Sequence, residues 1–531
     1  MNKSAQSSSP GAETTATVAR NTFWGGFEAI AALLATFLTS IAIARTFGPA
    51  KLGYYNFILL LTSMSASLGS LGIPATTGKY MAEYLGKGER GIARAVFFRT
   101  LMAQSALAIL LALAGVALAV TVLDPSYRLI SVILLLGMVP QMIAYVPSAA
   151  NNAAENVRKN THGSVAGMTA YVVGVILSLL LGWDLMGVAV STLLCHMIEF
   201  SMKTWSVVSW VRAVPAAPLP SELRARMFGF SGQSSILLVL NLVVWERSDV
   251  LFLKLLNHDI RQVAFFSVPF SLVERASMAP QVIANAIAVS LFAEYGRDRE
   301  RMVRIAEKAF KYVLVSSVPL LFGLGALSKG VVGLLYGAQY SPAAGVLTLV
   351  AFMAVAKCVF LPIRALHGAA DKLKPLLWVT CIGGAIDVAL DVALVPRFGA
   401  IGAAVANGAA QVYAAVWLWM KARRTFQLRL DRNLIFRIGL CGLAMAAVVA
   451  PQALFLRPLI AVVTGVSSGC LVYLLMVRVT RILSKEDRIR LASAMSRFAR
   501  VIPVDRLLAF LAPGAPGEIE GQPSWVEELT P

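Results

Sequence analysis

Apolar runs of about 20 residues, the length a helix needs to cross the hydrocarbon core of a bilayer, recur from one end of this chain to the other. A helix satisfies its own backbone donors and acceptors, so a chain built from such runs folds in lipid as a helical bundle. The runs fall at 22–44, 53–75, 100–123, 129–149, 163–182, 186–207, 228–253, 262–290, 312–336, 342–363, 375–396, 399–420, 436–454 and 458–477. Charge supports the same reading. Asp, Glu, Lys and Arg make up 14% of the 531 residues, against roughly 25% in a soluble domain, which is too few to cover a water-facing surface. The chain therefore reads as an all-α polytopic membrane protein with about fourteen transmembrane helices.

The segments between runs alternate in charge. Of 47 Lys and Arg, 36 lie on one side, in the loops near 79–99, 150–162, 202–226, 296–311, 364–374 and 421–437 and in the two ends. Eight lie on the other side, where loops are short. The basic side is expected to be cytoplasmic, which puts both termini there. The net charge of +19 is thus a topogenic signal that also favours anionic headgroups. No compact basic domain is left for nucleic acid. The five cysteines sit inside apolar runs without CxxC spacing, so neither a disulfide framework nor a metal site is expected from them. Residues 1–19 and 512–531 read as disordered cytoplasmic tails. Residues 484–511, with apolar residues at helical spacing among arginines, read as an amphipathic helix on the inner membrane surface. No cleavable signal peptide is evident.

The chain also repeats itself. MAEYLGKGER at 81–90 matches FAEYGRDRER at 292–301, Tyr54-Tyr55 falls on Phe265-Phe266, Tyr127 on Tyr340, and Gly187-Val-Ala-Val190 on Gly402-Ala-Ala-Val405. Two lobes of six helices follow, 20–212 and 226–423, with two extra helices at 434–478. An even number of spans per copy gives both lobes the same orientation, a transporter architecture with its substrate site near mid-membrane.

FGPAKLGYY at 47–55 and DVALVPRFGAIGAAVAN at 391–407 resemble the polysaccharide-biosynthesis branch of the multidrug/oligosaccharidyl-lipid/polysaccharide (MOP) exporter superfamily. Asp391 stands where that branch usually has Asn. The resemblance implies a MATE-like fold in a bacterial inner membrane. It implies a flippase for a polyprenyl-diphosphate-linked oligosaccharide, used in lipopolysaccharide O-antigen, exopolysaccharide or capsule synthesis. Polysaccharide polymerases and glycosyltransferases are the partners it suggests. Two relatives in the superfamily fit less well. Drug antiporters of the MATE type usually stop at twelve spans, and lipid II flippases resemble Ser-Arg-x-x-Gly-x-x-Arg near the first span, which this chain lacks.

Charges kept inside spans need a reason, because each costs a few kcal/mol at the bilayer centre. Those implied to line the substrate cavity are Glu28, Arg247, Glu274, Arg275 and Lys357. An arginine grips a diphosphate in a bidentate manner, so Arg275 is either a pyrophosphate contact or the partner of a buried acid. Lys357 alternatively snorkels to the interface. Asp387 and Asp391 are four apart, hence on one helical face. Asp249 and Asn407 come to similar depth, with Glu246 as an alternative to Asp249. Converging oxygens suit Na⁺ or a proton, and the resemblance places cation binding on these three spans. The competing reading is that Asp391 caps a helix end at Val395-Pro396. His196 near Glu199 reads as a packed, hydrogen-bonded histidine. Pro74, Pro140, Pro269 and Pro280 are expected to interrupt their helices. No phosphate loop, HExxH or nucleophile elbow occurs, so neither an enzyme nor a cofactor beyond a coupling ion is expected.

Overall fold

The computed structural model describes residues 10–123, 125–215, 217–245, 248–294, 298–370, 372–484 and 487. Among these residues the regular structure is entirely helical. They form two compact units, one within Met1–Arg275, Leu335–Val346 and Leu376–Ala414, the other within Ala276–Leu334, Leu347–Pro375 and Ala415–Pro531.

Helix α1 (Pro10–Gly69) is two arms meeting at Gly48, whose φ of 76° and ψ of 177° are not helical. Only glycine adopts that region readily. Pro49 follows, opening the second arm where its missing N–H removes no helical bond. The FGPA sequence is thus the hinge between the first two predicted spans. α1 begins at Pro10, inside the stretch that reads as a tail. The second arm ends at Gly69, and α2 (Ile73–Gly86) starts after Gly72, with Pro74 in its first turn. Pro74 therefore marks a helix boundary. Pro140, Pro269 and Pro280 do not, since α4 (Arg128–Ala153) and α9 (Arg261–Glu294) run through them. One lost hydrogen bond is tolerable where a helix is gripped on both sides.

The first unit also contains α3 (Arg90–Val122), α5 (Val157–Leu180), α6 (Asp184–Val211), α7 (Ser221–Trp245) and α8 (Ser248–Leu256). One core gathers Tyr80 and Met81 of α2, Phe97 of α3, Val146 of α4, Val207 and Val211 of α6 and Leu223 of α7. The later helices are α10 (Arg299–Ala326), α11 (Ser328–Leu335), α12 (Ser341–Ala369), α13 (Leu373–Phe398), α14 (Ala400–Phe426), α15 (Arg432–Phe455) and α16 (Pro458–Val479). In the second unit α10 packs on α15, where Gly442 leaves room for Val318 and Phe322. Tyr473 of α16 donates to Val315 O at 2.8 Å.

Large apolar side chains such as Leu113, Leu180, Leu443, Phe455 and Leu471 point outward. Soluble monomers rarely expose apolar patches on this scale, whereas hydrocarbon solvates them. Eleven helical stretches among the described residues are long and apolar enough to cross a membrane. They cover the predicted spans within 22–75, 100–207 and 312–477. The first, Phe23–Gly69, is 47 residues long, about 70 Å of helix bent at Gly48. The remaining predicted spans, 228–253 and 262–290, fall on α7, α8 and α9. The predicted helix 484–511 and tail 512–531 lie outside the described residues, apart from Ser484 and Asp487.

Two ring contacts fall at positions that the sequence repeat aligns. Tyr54 stacks on Tyr127 with ring centroids 4.1 Å apart, and Phe265 meets Tyr340 edge-on at 6.2 Å. These are aligned positions of the two copies. Likewise Gly187 lets α6 close against Ser178 of α5, and Gly402 lets α14 close against Leu394 of α13.

Candidate functional site

Helices α13 and α14 form a hairpin around Gly399, which takes φ 54°. Its turn is held from outside, since Gln262 Oε1 accepts from Ala400 N at 3.0 Å. Because Gly402 carries no Cβ, the first turn of α14 lies against the Leu394 carbonyl. Asp391 sits seven residues before the end of α13, and Asn407 seven residues after the start of α14. Asp249 is seven residues before the end of α8, and Asn257 just beyond that end donates to Val395 O at 3.5 Å. At 1.5 Å per residue each of the three side chains lies about 10 Å from the same end of the bundle.

These elements bring three carboxylates together. Asp249 and Asp391 are fully buried and Asp387 is 2% exposed. One carboxylate oxygen from each lies within 4.8 Å of the others. Asn407 Nδ2 donates to Asp249 Oδ2 at 3.2 Å, and Gln411 Nε2 donates to Asn407 Oδ1 at 2.6 Å. The other oxygen of Asp249 and both oxygens of Asp391 have no hydrogen-bond partner among the described residues.

Each pair of ionised carboxylates at this spacing repels by about 3 kcal/mol at an effective dielectric constant near 20. Asp249 and Asp391 carry oxygens without a hydrogen-bond donor among the described residues. Such an arrangement is stable when protons or a cation share the oxygens. All-oxygen donor sets suit hard cations, so the residues fit Na⁺ or protons.

Of the sequence candidates for cation coupling, the structure assembles Asp249, Asp387, Asp391 and Asn407. Glu246 and Arg247 lie outside the described residues. The capping alternative for Asp391 fails, because α13 continues through Pro396 to Phe398 and the Asp391 oxygens accept no backbone N–H. Gln411 was not among the candidates. Its signal was available: it lies one turn beyond Asn407 on the same helical face.

The cavity candidates are placed elsewhere. Glu28 on α1 accepts from Thr161 Oγ1 at 3.2 Å and Ser164 Oγ at 2.5 Å, both on α5. Arg275 on α9 is half-buried. Its Nη1 donates to Ser271 O at 3.2 Å and Ser271 Oγ at 2.9 Å, its Nη2 to Thr36 Oγ1 at 3.5 Å, and the guanidinium covers the Phe37 ring at 5.2 Å. Glu274 and Lys357 are half-buried. His196 departs from expectation. Its Nδ1 is buried without a hydrogen-bond partner among the described residues, and Glu199 pairs with Lys203 at 3.3 Å instead.

A family model described as "Polysaccharide biosynthesis protein" matches residues 29–345. The chain belongs to this polysaccharide biosynthesis family. The match takes in Asp249 and Arg275, and ends before α13. A search of curated proteins gave no match in sequence. The fold of this family member is shared with solved structures of distant sequence. A lipid II flippase, MurJ, in an inward closed conformation superposes with a TM-score of 0.71 at 13% identity, covering 86% of this chain and 98% of MurJ. An inward-facing multidrug resistance MATE family transporter gives 0.62 at 16% identity, covering 74% and 94%. A MOP superfamily transporter from Pyrococcus furiosus gives 0.52 at 15% identity, covering 77% and 95%. This family member is therefore a multi-pass membrane protein with the MOP transporter fold.

Proposed function

We propose that this protein is a flippase. It moves a polyprenyl-diphosphate-linked oligosaccharide from the inner to the outer leaflet of a bacterial inner membrane for surface polysaccharide synthesis, with both termini cytoplasmic. The observation that carries the reading is the buried Asp249–Asp387–Asp391 cluster with Asn407, in a chain of the polysaccharide biosynthesis family. A transporter without an ATP-binding motif needs another energy source, and a hard-cation or proton site supplies one. Binding there changes the charge of three membrane-buried carboxylates, which biases a two-state helix arrangement. The two six-helix lobes read from the repeat are the moving parts in this scheme. The matching ring contacts of Tyr54–Tyr127 and Phe265–Tyr340 support that repeat.

In this reading Arg275 receives the diphosphate. Its guanidinium already donates to hydroxyl oxygens, of Ser271 and Thr36, the kind of acceptor that a phosphate oxygen replaces, and its planar fork suits bidentate phosphate binding. The sugar crosses in a polar path while the polyprenyl chain stays in lipid.

The test is flipping of a fluorescent polyprenyl-diphosphate oligosaccharide in proteoliposomes, with and without a Na⁺ or H⁺ gradient. Wild-type protein is expected to flip it faster with one of the gradients. Arg275→Ala is expected to lose transport, and Asp391→Asn to lose the gradient dependence. Failure of well-folded wild type across several glycans and both gradients would overturn the assignment in favour of drug antiport.

A further inference from the structure

Where α5 begins and α6 ends, their outer faces border an open cavity of about 580 Å³. It is lined by Lys159 and His162 of α5 and by Ser201, Met202, Trp205 and Ser209 of α6, and none of its lining residues is acidic. Ser201, Trp205 and Ser209 are spaced by four and form one stripe along α6. Trp205 is 76% exposed. The Lys159 ammonium is drawn to the wall by Ser206 O at 3.4 Å, and Ser209 Oγ donates to the same carbonyl at 3.1 Å. Farther along both helices, away from this end, the exposed side chains turn apolar: Val173, Ile176, Leu177, Leu194 and Met197.

The surface thus grades from ammonium, imidazole and hydroxyl at the helix ends, past an exposed indole, to aliphatic groups toward the middle. A phospholipid has the same profile, with its phosphate in the headgroup layer and acyl chains below. Indoles favour the boundary between the two, and basic pockets between transmembrane helices favour anionic headgroups. Topogenic charge alone requires neither a cavity nor a hydroxyl stripe. We propose that this cavity is a binding site for the headgroup of an anionic phospholipid in the leaflet on the Lys/Arg-rich side. Lys159 and His162 meet the phosphate, and Trp205 and Met202 meet the glycerol and the upper acyl chain.

The experiment uses the full-length protein in nanodiscs containing increasing mole fractions of brominated phosphatidylglycerol or of brominated phosphatidylcholine. The signal is the fluorescence of wild type minus that of Trp205→Phe. Brominated phosphatidylglycerol is expected to reach half-maximal quenching at about fivefold lower mole fraction. Lys159→Gln is expected to erase the preference and Lys159→Arg to keep it. Equal quenching by the two lipids in wild type, or an undiminished preference in Lys159→Gln, would overturn the proposal. Excess glycerol 3-phosphate is expected to leave the quenching unchanged. Relief of quenching by it would overturn the lipid assignment in favour of a soluble phosphate site.

Discussion

Asn407 donates its side-chain amide to Asp249 Oδ2 at 3.2 Å, joining residues 158 positions apart in the sequence. A hydrogen bond to a charged group contributes about 1.5–3 kcal/mol. Asn407→Ala removes a donor that stabilises the ionised carboxylate. With Na⁺ as the coupling ion, about tenfold more Na⁺ is then expected for half-maximal flipping; with a proton, which binds a less stabilised carboxylate more tightly, half-maximal flipping is expected at higher pH. Gln411→Leu, which frees the Asn407 oxygen to rotate away, is expected to act in the same direction but less. Titrating transport against Na⁺ and against pH reads both variants.

Arg275 lies over the Phe37 ring and points two nitrogens at hydroxyl groups. Lysine retains the charge but neither the planar fork nor the stacking. Arg275→Lys is expected to slow flipping by about tenfold, one of two bidentate bonds being lost. Initial rates at saturating lipid-linked substrate check this. A wild-type rate in Arg275→Lys would mean that only the positive charge matters.

Gly48 occupies a backbone region that other residues enter at a cost of about 1–3 kcal/mol. A Cβ there would also lie 3.0 Å from Gln339 Oε1. Gly48→Ala is expected to lower the Tm of the detergent-solubilised protein. The double variant Gly48→Ala/Gln339→Ala is expected to recover only the steric part. Full recovery would show that the bend carries no backbone strain.

Asp487, beyond the last helix, accepts hydrogen bonds from Lys311 Nζ, from Tyr312 OH at 2.6 Å, and from Ser484 N and Oγ at 2.8 and 2.7 Å. Burial alone would raise its carboxyl, but these donors outweigh burial and hold it at about 2. A carboxyl depressed in the folded state stabilises that state above its ordinary value near 4, on the order of 2 kcal/mol here. The contribution disappears as pH falls toward 2. Asp487→Asn is expected to melt below wild type at pH 7, and the gap is expected to close below about pH 4. Thermal unfolding between pH 7 and pH 2 measures it.

Some features of this protein were legible in the amino-acid order alone. Spans come from run length, and the internal repeat from aligned residues such as Tyr54 with Phe265 and Tyr127 with Tyr340. The common depth of Asp249, Asp391 and Asn407 follows from counting residues to a helix end. All of these are one-dimensional, since a helix advances a set distance per residue whatever surrounds it. The direction a side chain faces among its neighbours is not. Only the packing of α1 on α5 gave Glu28 to Thr161 and Ser164. Only the continuation of α13 past Pro396 freed Asp391 from a capping role, and only the seating of α14 against α8 brought Asn407 to Asp249. Sequence set how deep each charged group lies, and tertiary structure chose its partner, because rotation of a helix about its axis is determined by the surfaces it meets.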